Sequence, residues 1–341
     1  REHGVREIHQ IHLEKHFRPI SGFQGFRDVC RIIRENDIDI IHTHMANDHL
    51  IGGLAARRCS RDIPIVRSYY DDDPGQTHFR ETMCLRHMTD HLILPFDQCA
   101  ASPIVKQRFA PDRYSIIGPG VDTRRFDPAR TLTANLPFKI PAGSIVAGIV
   151  ARVQTHRRFE ILLDAIARAV AEEPNIRLVI VGRGTNIDRV AKQPVQSLGL
   201  EKHVLFAGYL SGDDYVNVLN SFDFQLFLVP GSDRTCRAAR EGMALGKPLI
   251  VFRNGILPIL ANDGPCGLVV DETSSDLARA ILKLAQNKTL RQKLGAQSRQ
   301  TILHKYDLDS QASATRNIYE RLLNKKHMIC SVDANVKSLR L

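Results

Sequence analysis

Short apolar runs rich in β-branched residues alternate with longer stretches of helical period along almost the whole chain, and this alternation limits the fold more than any other feature. Runs at 38–42, 63–66, 91–94 and 115–117 read as strands in the first part. Further runs at 144–150, 177–181, 204–207, 224–228 and 248–252 follow a break at Pro137 and Pro141. A helix-like stretch trails each run, the clearest being 159–172, with Leu162, Leu163, Ile166 and Val170 on one face. Strands covered on both faces by crossover helices read as continuous apolar runs rather than as alternating ones. The chain is therefore expected to be α/β, with two Rossmann-like, doubly wound parallel-sheet domains joined near 137–143. The expected division is 1–140, 141–308, a helix at 309–324 packing back toward the first domain, and a polar tail at 325–341 without periodicity.

A length of 341 residues fits two such domains, and 43% hydrophobic residues exclude a disordered chain. No apolar run approaches 18 residues. The seven cysteines are scattered without a C-x-x-C pair, which fits reduced thiols in a cytoplasm better than a disulfide framework or a zinc ribbon. Tryptophan is absent and aromatics are 6%, which argues against a stacking platform for single-stranded nucleic acid. The net charge of +10 calls for an anionic partner. Residues 141–341 hold 27 Lys+Arg against 19 Asp+Glu, whereas residues 1–140 hold 20 against 18. The excess therefore points to a phosphate-bearing ligand of the second half rather than to nucleic acid. For peripheral contact with a membrane only local groups remain: Arg57, Arg58 and Arg61, or Arg124 and Arg125.

In an open parallel sheet, ligands bind beyond the carboxyl ends of the strands, so the loops there carry the chemistry. The segment ARVQTHRRF (151–159) places Arg152, Arg157 and Arg158 after a strand and before a helix, a setting that suits a diphosphate. GRGT (182–185) is a tight turn, and Gly182 there lets backbone approach a ligand. The strongest signal is PGSDRTCRAAREGMALGKP (230–248), which runs from a strand into a helix. Asp233 and Glu241 could hold two hydroxyl-bearing parts of one ligand, while the amides of Thr235, Cys236 and Arg237 offer donors to phosphate.

That string resembles the glutamate-x7-glutamate motif of retaining glycosyltransferases of family 4, the group 1 family. Asp233 stands in place of the first glutamate and Gly242 in place of an alanine. Segment 151–159 is similar to the family's Gly-Arg-Leu…Lys-Gly stretch, with Arg157 where the family has lysine. SIIGPGVDTRRF (115–126), DIIHTH (39–44) and the pair YDLD (306–309) and YERLL (319–323) also fit. The resemblance runs from about 35 to 324 and implies the GT-B fold, two Rossmann-like domains facing a cleft. It further implies that a nucleotide-diphosphate sugar is the donor, with no metal required and no other cofactor. Arg152, Arg157 and Asp233 would be the catalytic residues, the arginines neutralising the leaving diphosphate and Asp233 contacting sugar hydroxyls. Glu241 would hold the ribose, with Gly182, Thr235, Cys236 and Arg237 beside it. The acceptor implied is an envelope glycolipid or polysaccharide precursor, met at the cytoplasmic side of a membrane.

On the acceptor side, the family often places a histidine where this chain has Tyr70, and His44 is the substitute candidate. The opening stretch, 1–13, is similar to the family's second strand region, so the first strand and its Gly-rich loop are expected to be missing. Two alternatives remain. One is an inactive or binding-only relative. The other is a metal-dependent transferase using the Asp-x-Asp of Asp71, Asp72 and Asp73. A sugar-nucleotide epimerase lacks support from the Asp233–Glu241 string, and His42, His44 and His49 are spaced poorly for a metal cluster.

Overall fold

The computed structural model describes residues 7–11, 13, 19–60, 62–70, 79–130, 136, 138–230, 236–262 and 265–338, with side chains of the last helix described as far as Lys325. Two units emerge, one made of residues 1–118 and 311–341, the other of residues 119–310. The division after Gly118 lies upstream of the proline break near 137–143. Residues past Gly118 are tied into the second unit: the Val121 amide donates to Tyr306 O (2.7 Å), and the Leu308 amide donates to Val121 O (3.0 Å).

The first unit contains α1 (Pro19–Glu35), β1 (Ile41–Thr43), α2 (Ala46–Cys59), β2 (Ile65–Ser68), α3 (Phe79–His87), β3 (His91–Leu94), α4 (Pro103–Arg108) and β4 (Tyr114–Ile116). Its four strands are parallel and lie in chain order. β1 starts later than the apolar run at 38–42 suggests, because Asp37 takes a left-handed φ of 46° and the chain is still leaving α1 there. α1 buries Cys30 and Ile33 against Ala55 and Ala56 of α2 and Ile65 of β2. Residues 7–11 and 13 form no strand, and Ile8 is 77% exposed. The final helix, α12 (Leu308–Ser338), joins this unit by packing Ile318 against Val66 and Ile93. Its backbone stays helical beyond 325, where the residue pattern offers no periodicity.

The second unit contains β5 (Ile145–Val150), α5 (Phe159–Glu172), β6 (Ile176–Val181), α6 (Gln193–Ser197), β7 (Val204–Gly208), α7 (Gly212–Asn220), β8 (Phe224–Phe227), α8 (Arg237–Ala244), β9 (Leu249–Phe252), α9 (Leu257–Asn262), β10 (Gly267–Val270), α10 (Ser274–Gln286) and α11 (Lys288–Lys305). The sheet order is β10-β9-β8-β5-β6-β7, all parallel, so the direction of winding reverses between β5 and β8. α5 matches its sequence reading: Leu162, Leu163 and Ile166 are fully buried, each worth roughly 1.5–3 kcal/mol of burial. β10 escapes the reading because it is a four-residue edge strand, half-buried throughout. No described helix is long and apolar enough to cross a membrane, and no disulfide joins the described cysteines.

Gly242 of α8 faces Gln225 of β8, which is fully buried and donates to Ala238 O (3.0 Å). A Cβ at 242 would stand 1.6 Å from Gln225 Oε1, so the buried Gln225 amide as placed leaves no room for a side chain there. Gly242→Ala is expected to destabilise the protein by roughly 1–3 kcal/mol. The double variant Gly242→Ala/Gln225→Ala should lose less than the sum of the singles in denaturant titration; strict additivity would refute the coupling.

Among the described residues of the first unit two histidines are fully buried. His49 Nε2 meets Thr89 Oγ1 (3.0 Å), and burial followed by the nearby Arg67 lowers its pKa to about 3. His91 lies between Ser115 Oγ (3.0 Å) and Arg321 Nη2 (3.1 Å); burial and Arg321 lower its pKa to about 4. Folded values below the ordinary 6.5 mean that the unfolded chain binds more protons, so stability falls as pH drops below about 6.5. His49→Gln should flatten that dependence by up to about 1.4 kcal/mol per pH unit. Thermal midpoints between pH 7.5 and 5 test it, and equal slopes in the two proteins would exclude it.

Candidate active site

The carboxyl ends of β5, β6, β7 and β8 open onto a cavity of about 1110 Å³ within the second unit. Its apolar floor includes Ile149, Val181, Phe227 and Leu228. Among the described residues, its charged lining is five arginines (Arg125, Arg152, Arg157, Arg183 and Arg237) around one carboxylate, Glu241. Such a field favours a ligand with several negative charges. Two loops of its wall touch along their backbones: the Ala151 amide donates to Val181 O (3.0 Å), and the Val153 amide to Arg183 O (3.2 Å). A Cβ at Gly182, whose φ is 142°, would stand 2.0 Å from Ala151 O, and one at Gly184 would stand 1.9 Å from Val153 O. The glycines are therefore demanded by loop contact, which is more than the plain turn GRGT suggests.

Arg152, Arg157, Gly182, Cys236, Arg237 and Glu241, all singled out from sequence, line this one cavity. Arg152 is exposed in the wall. Arg157 is half-buried, and its Nη1 donates to Pro230 O (2.8 Å) at the end of β8, which anchors the guanidinium. Arg158 is turned away: its left-handed φ of 61° swings the side chain to Glu272, with Nε 3.3 Å from Oε2. Cys236, also left-handed at φ 51°, begins α8 and is buried. Glu241 is only 4% exposed; one oxygen accepts from Tyr215 Oη (2.7 Å) and the other from Arg237 Nε (2.9 Å). Burial and the Glu241 charge push the Tyr215 phenol far up, so it stays a donor. Each carboxylate oxygen keeps a further lone pair for a ligand. Asp233 and Thr235 lie outside the described residues, as do Asp71, Asp72 and Asp73.

Tyr215, Tyr209, Arg183 and Arg125 are cavity residues that the sequence reading did not assign. Tyr209 is 66% exposed, with the Arg183 guanidinium 4.8 Å from its ring centroid, a face suited to a planar group. Arg125 was a membrane candidate by charge alone; it lines the cavity instead, donating through Nη2 to Gly212 O (3.1 Å). Arg124 pairs with Asp309 (2.9 Å). Arg57 is engaged by Asp90 (2.8 Å) and Ile63 O (2.8 Å), so it braces the first unit rather than standing free for a lipid headgroup.

In the first unit His44 and Tyr70 meet at the carboxyl ends of β1 and β2, with His44 Nδ1 2.7 Å from Tyr70 Oη. His42 lies against His44 with ring centroids 4.2 Å apart and planes tilted by 32°, and its Nε2 lies 2.8 Å from Ser68 Oγ. Its Nδ1 reaches Tyr319 Oη from α12. Burial, then the neighbouring His44 and Arg67, lowers the His42 pKa to about 4. Burial also lowers that of His44, against the pull of Asp48. Both rings are therefore neutral at pH 7. His49 turns into the core, and among the described residues no three His, Cys, Asp or Glu side chains gather as a metal site.

Similarity to known proteins follows the same division. The family profile described as "Glycosyl transferases group 1" matches residues 136–301, and "Glycosyltransferase Family 4" matches residues 1–125. A D-inositol 3-phosphate glycosyltransferase of Corynebacterium jeikeium is 29% identical over 330 residues, covering 89% of this chain and 77% of that protein. One of Saccharomonospora viridis is 26% identical over 285 residues, covering 77% of this chain; the chain spans 65% of that relative's length. Among solved structures, a glycosyltransferase from Rickettsia africae superposes with a TM-score of 0.73 at 17% identity, covering 90% of this chain and 82% of that one. Anabaena HepE in complex with UDP does so with a TM-score of 0.71 at 18% identity, covering 87% and 82%. Two parallel-sheet α/β units, profiles matching both in order, and these structural likenesses place the chain in the group 1 glycosyltransferases of family 4, with the GT-B fold.

Proposed function

We propose that this chain transfers a sugar from a nucleoside-diphosphate sugar, with retained anomeric configuration, to a hydroxyl of an acceptor. The observation that carries the reading is the set of five arginines around one buried carboxylate at the strand ends of the second unit. Arg152 and Arg157 neutralise the diphosphate as it leaves, which stabilises charge developing in the transition state. Because Arg157 is already anchored on Pro230 O, little reorganisation accompanies that step. Glu241, oriented by Tyr215 and Arg237, receives ribose hydroxyls through its remaining lone pairs. Asp233 is assigned to the donor sugar's hydroxyls and the amides of Thr235, Cys236 and Arg237 to phosphate, on the resemblance of their string. Gly182 gives the nucleotide close access to backbone. The bound UDP of HepE supports a uridine nucleotide as the first donor base to test.

His44 and Tyr70 are assigned to the acceptor side. The names of the relatives favour an inositol phosphate as acceptor; an envelope glycolipid or polysaccharide precursor is the second class. The reading places the reaction in the cytoplasm, with any membrane contact peripheral, and gives nucleic acid no part. The arginines, rather than a divalent ion, carry the leaving group in this mechanism, so EDTA should leave turnover unchanged. A Mg²⁺ requirement would return the reading to Asp71–Asp73.

Thermal shift with UDP, GDP, ADP and their sugars tests the donor assignment. One nucleotide class should raise the midpoint by a few degrees at a large excess over Kd. Arg152→Ala and Glu241→Ala should each abolish the shift. If no nucleotide stabilises the protein, the reading fails. If a nucleotide binds but neither D-inositol 3-phosphate nor envelope saccharides are glycosylated, the chain is a binding-only relative.

A further inference from the structure

Arg299 of α11 is not among the described residues that line the cavity, yet two segments that build its wall meet on this side chain. The first is α8, whose last four carbonyls need partners beyond the helix. Those of Glu241, Gly242 and Met243 accept from the amides of Leu245 (3.2 Å), Lys247 (3.0 Å) and Gly246 (2.9 Å). The fourth, Ala244 O, accepts from Arg299 Nη1 (2.8 Å). α11 comes close enough because the residue one turn before Arg299 is Gly295, where a Cβ would stand 2.2 Å from Gly246 O.

The second segment bears Arg125. Asp122 closes it into one turn: its Oδ1 accepts from the amides of Arg124 (3.1 Å) and Arg125 (3.0 Å), and its carbonyl from the amide of Phe126 (2.9 Å). Two carbonyls of this turn accept from Arg299: Phe126 O lies 2.7 Å from Nη1, and Thr123 O 3.3 Å from both Nη1 and Nη2. The Asp127 carboxylate stands 3.8 Å from Nη2. Between the two gripped carbonyls Arg125 reaches the cavity. Buried Phe126 meets Tyr215 in a T-shaped contact with centroids 6.2 Å apart, and Tyr215 donates to Glu241 (2.7 Å). One half-buried cation thus joins the helix that carries Glu241 to the turn that backs the phenol holding it.

We propose that Arg299 is a positioning residue for the nucleotide end of the donor site, fixing the reach of Arg125 and, through Phe126 and Tyr215, the set of the Glu241 carboxylate. This rests on the reading that the cavity takes a nucleoside diphosphate. A guanidinium suits the task because its charge strengthens each bond to a carbonyl and its planar fork fixes their directions together. Without it the turn and the helix lose a shared anchor, and Ala244 O and Phe126 O lose a charged donor.

The test is binding of UDP, GDP and ADP to the full chain, measured by calorimetry well below the thermal midpoint of every variant, where all are folded. Arg299→Gln should weaken the nucleotide that binds wild type about tenfold, the order of one charge-assisted hydrogen bond to the ligand. A residue that only stabilises the fold would lower the midpoint and leave this affinity unchanged, and that result overturns the proposal. Because Arg299 acts through Arg125, the double variant Arg299→Gln/Arg125→Gln should lose less than the product of the two single losses; a full product overturns the proposal as well. If wild-type protein binds none of the three nucleotides, the donor reading fails and the nucleotide role of Arg299 with it. Hydrogen exchange decides the clamp separately: Arg299→Gln should speed exchange of the Arg124, Arg125 and Phe126 amides, and unchanged rates would remove the clamp itself.

Discussion

Everything at the candidate site hangs from the central strand β5, hydrogen-bonded in parallel to β6 on one side and β8 on the other. Because winding reverses there, the loops after β5 and β8 leave in different directions and a crevice opens beyond their ends. The crevice keeps its shape because the loop after β5 is sewn to the loop after β6 by Ala151–Val181 and Val153–Arg183 backbone bonds. Any side chain at Gly182 or Gly184 would force that seam apart. Arg152, Arg157 and Arg183 are all carried on these two loops, so the electrostatics of the cavity depend on two glycines that bear no charge.

The two units are electrostatically unlike. In the second, the described residues place five arginines around one carboxylate whose two oxygens are already oriented, which is preorganisation for an anionic ligand. In the first, the described groups at the strand ends include the imidazoles of His42 and His44 and the hydroxyls of Ser68 and Tyr70 beside the Asp48 carboxylate, with burial keeping the rings neutral. Arg67, which acts on both rings, is buried and paired with Glu81 (3.3 Å). Net charge does not make this contrast: residues 119–310 hold 25 Lys+Arg against 19 Asp+Glu and the rest of the chain 22 against 18, so the difference lies in where the charged groups sit.

What could be read from sequence follows from how local the signal is. β3 and α5 were legible to the residue, because a fully buried strand and a one-faced helix declare themselves within a few turns of chain. The loops at the strand ends were legible for the same reason, and with them Arg152, Arg157 and Glu241. Arg158 shows the limit: it adjoins Arg157, yet a left-handed backbone sends it to Glu272. Tyr215 lies 26 positions from Glu241 on a different helix, and Tyr319 lies 277 from His42, so neither partnership leaves a local trace. Arg125 was visible only as charge, and charge alone does not say which surface it faces.

Two departures from the family's pattern turn out to be half of a pair. Glycine at 242 is matched by Gln225, whose amide fills the space an alanine methyl would take. Tyrosine at 70 is matched by His44: β1 and β2 run in parallel register, His42 opposite Val66, so the residues just past both strands emerge side by side. An imidazole therefore still stands at this corner of the sheet, supplied by the neighbouring strand and held by the phenol that occupies the expected histidine position. A substitution read one position at a time looks like a loss of chemistry. Read across the hydrogen-bonded strands, the two side chains form one pair, with His44 Nδ1 2.7 Å from Tyr70 Oη.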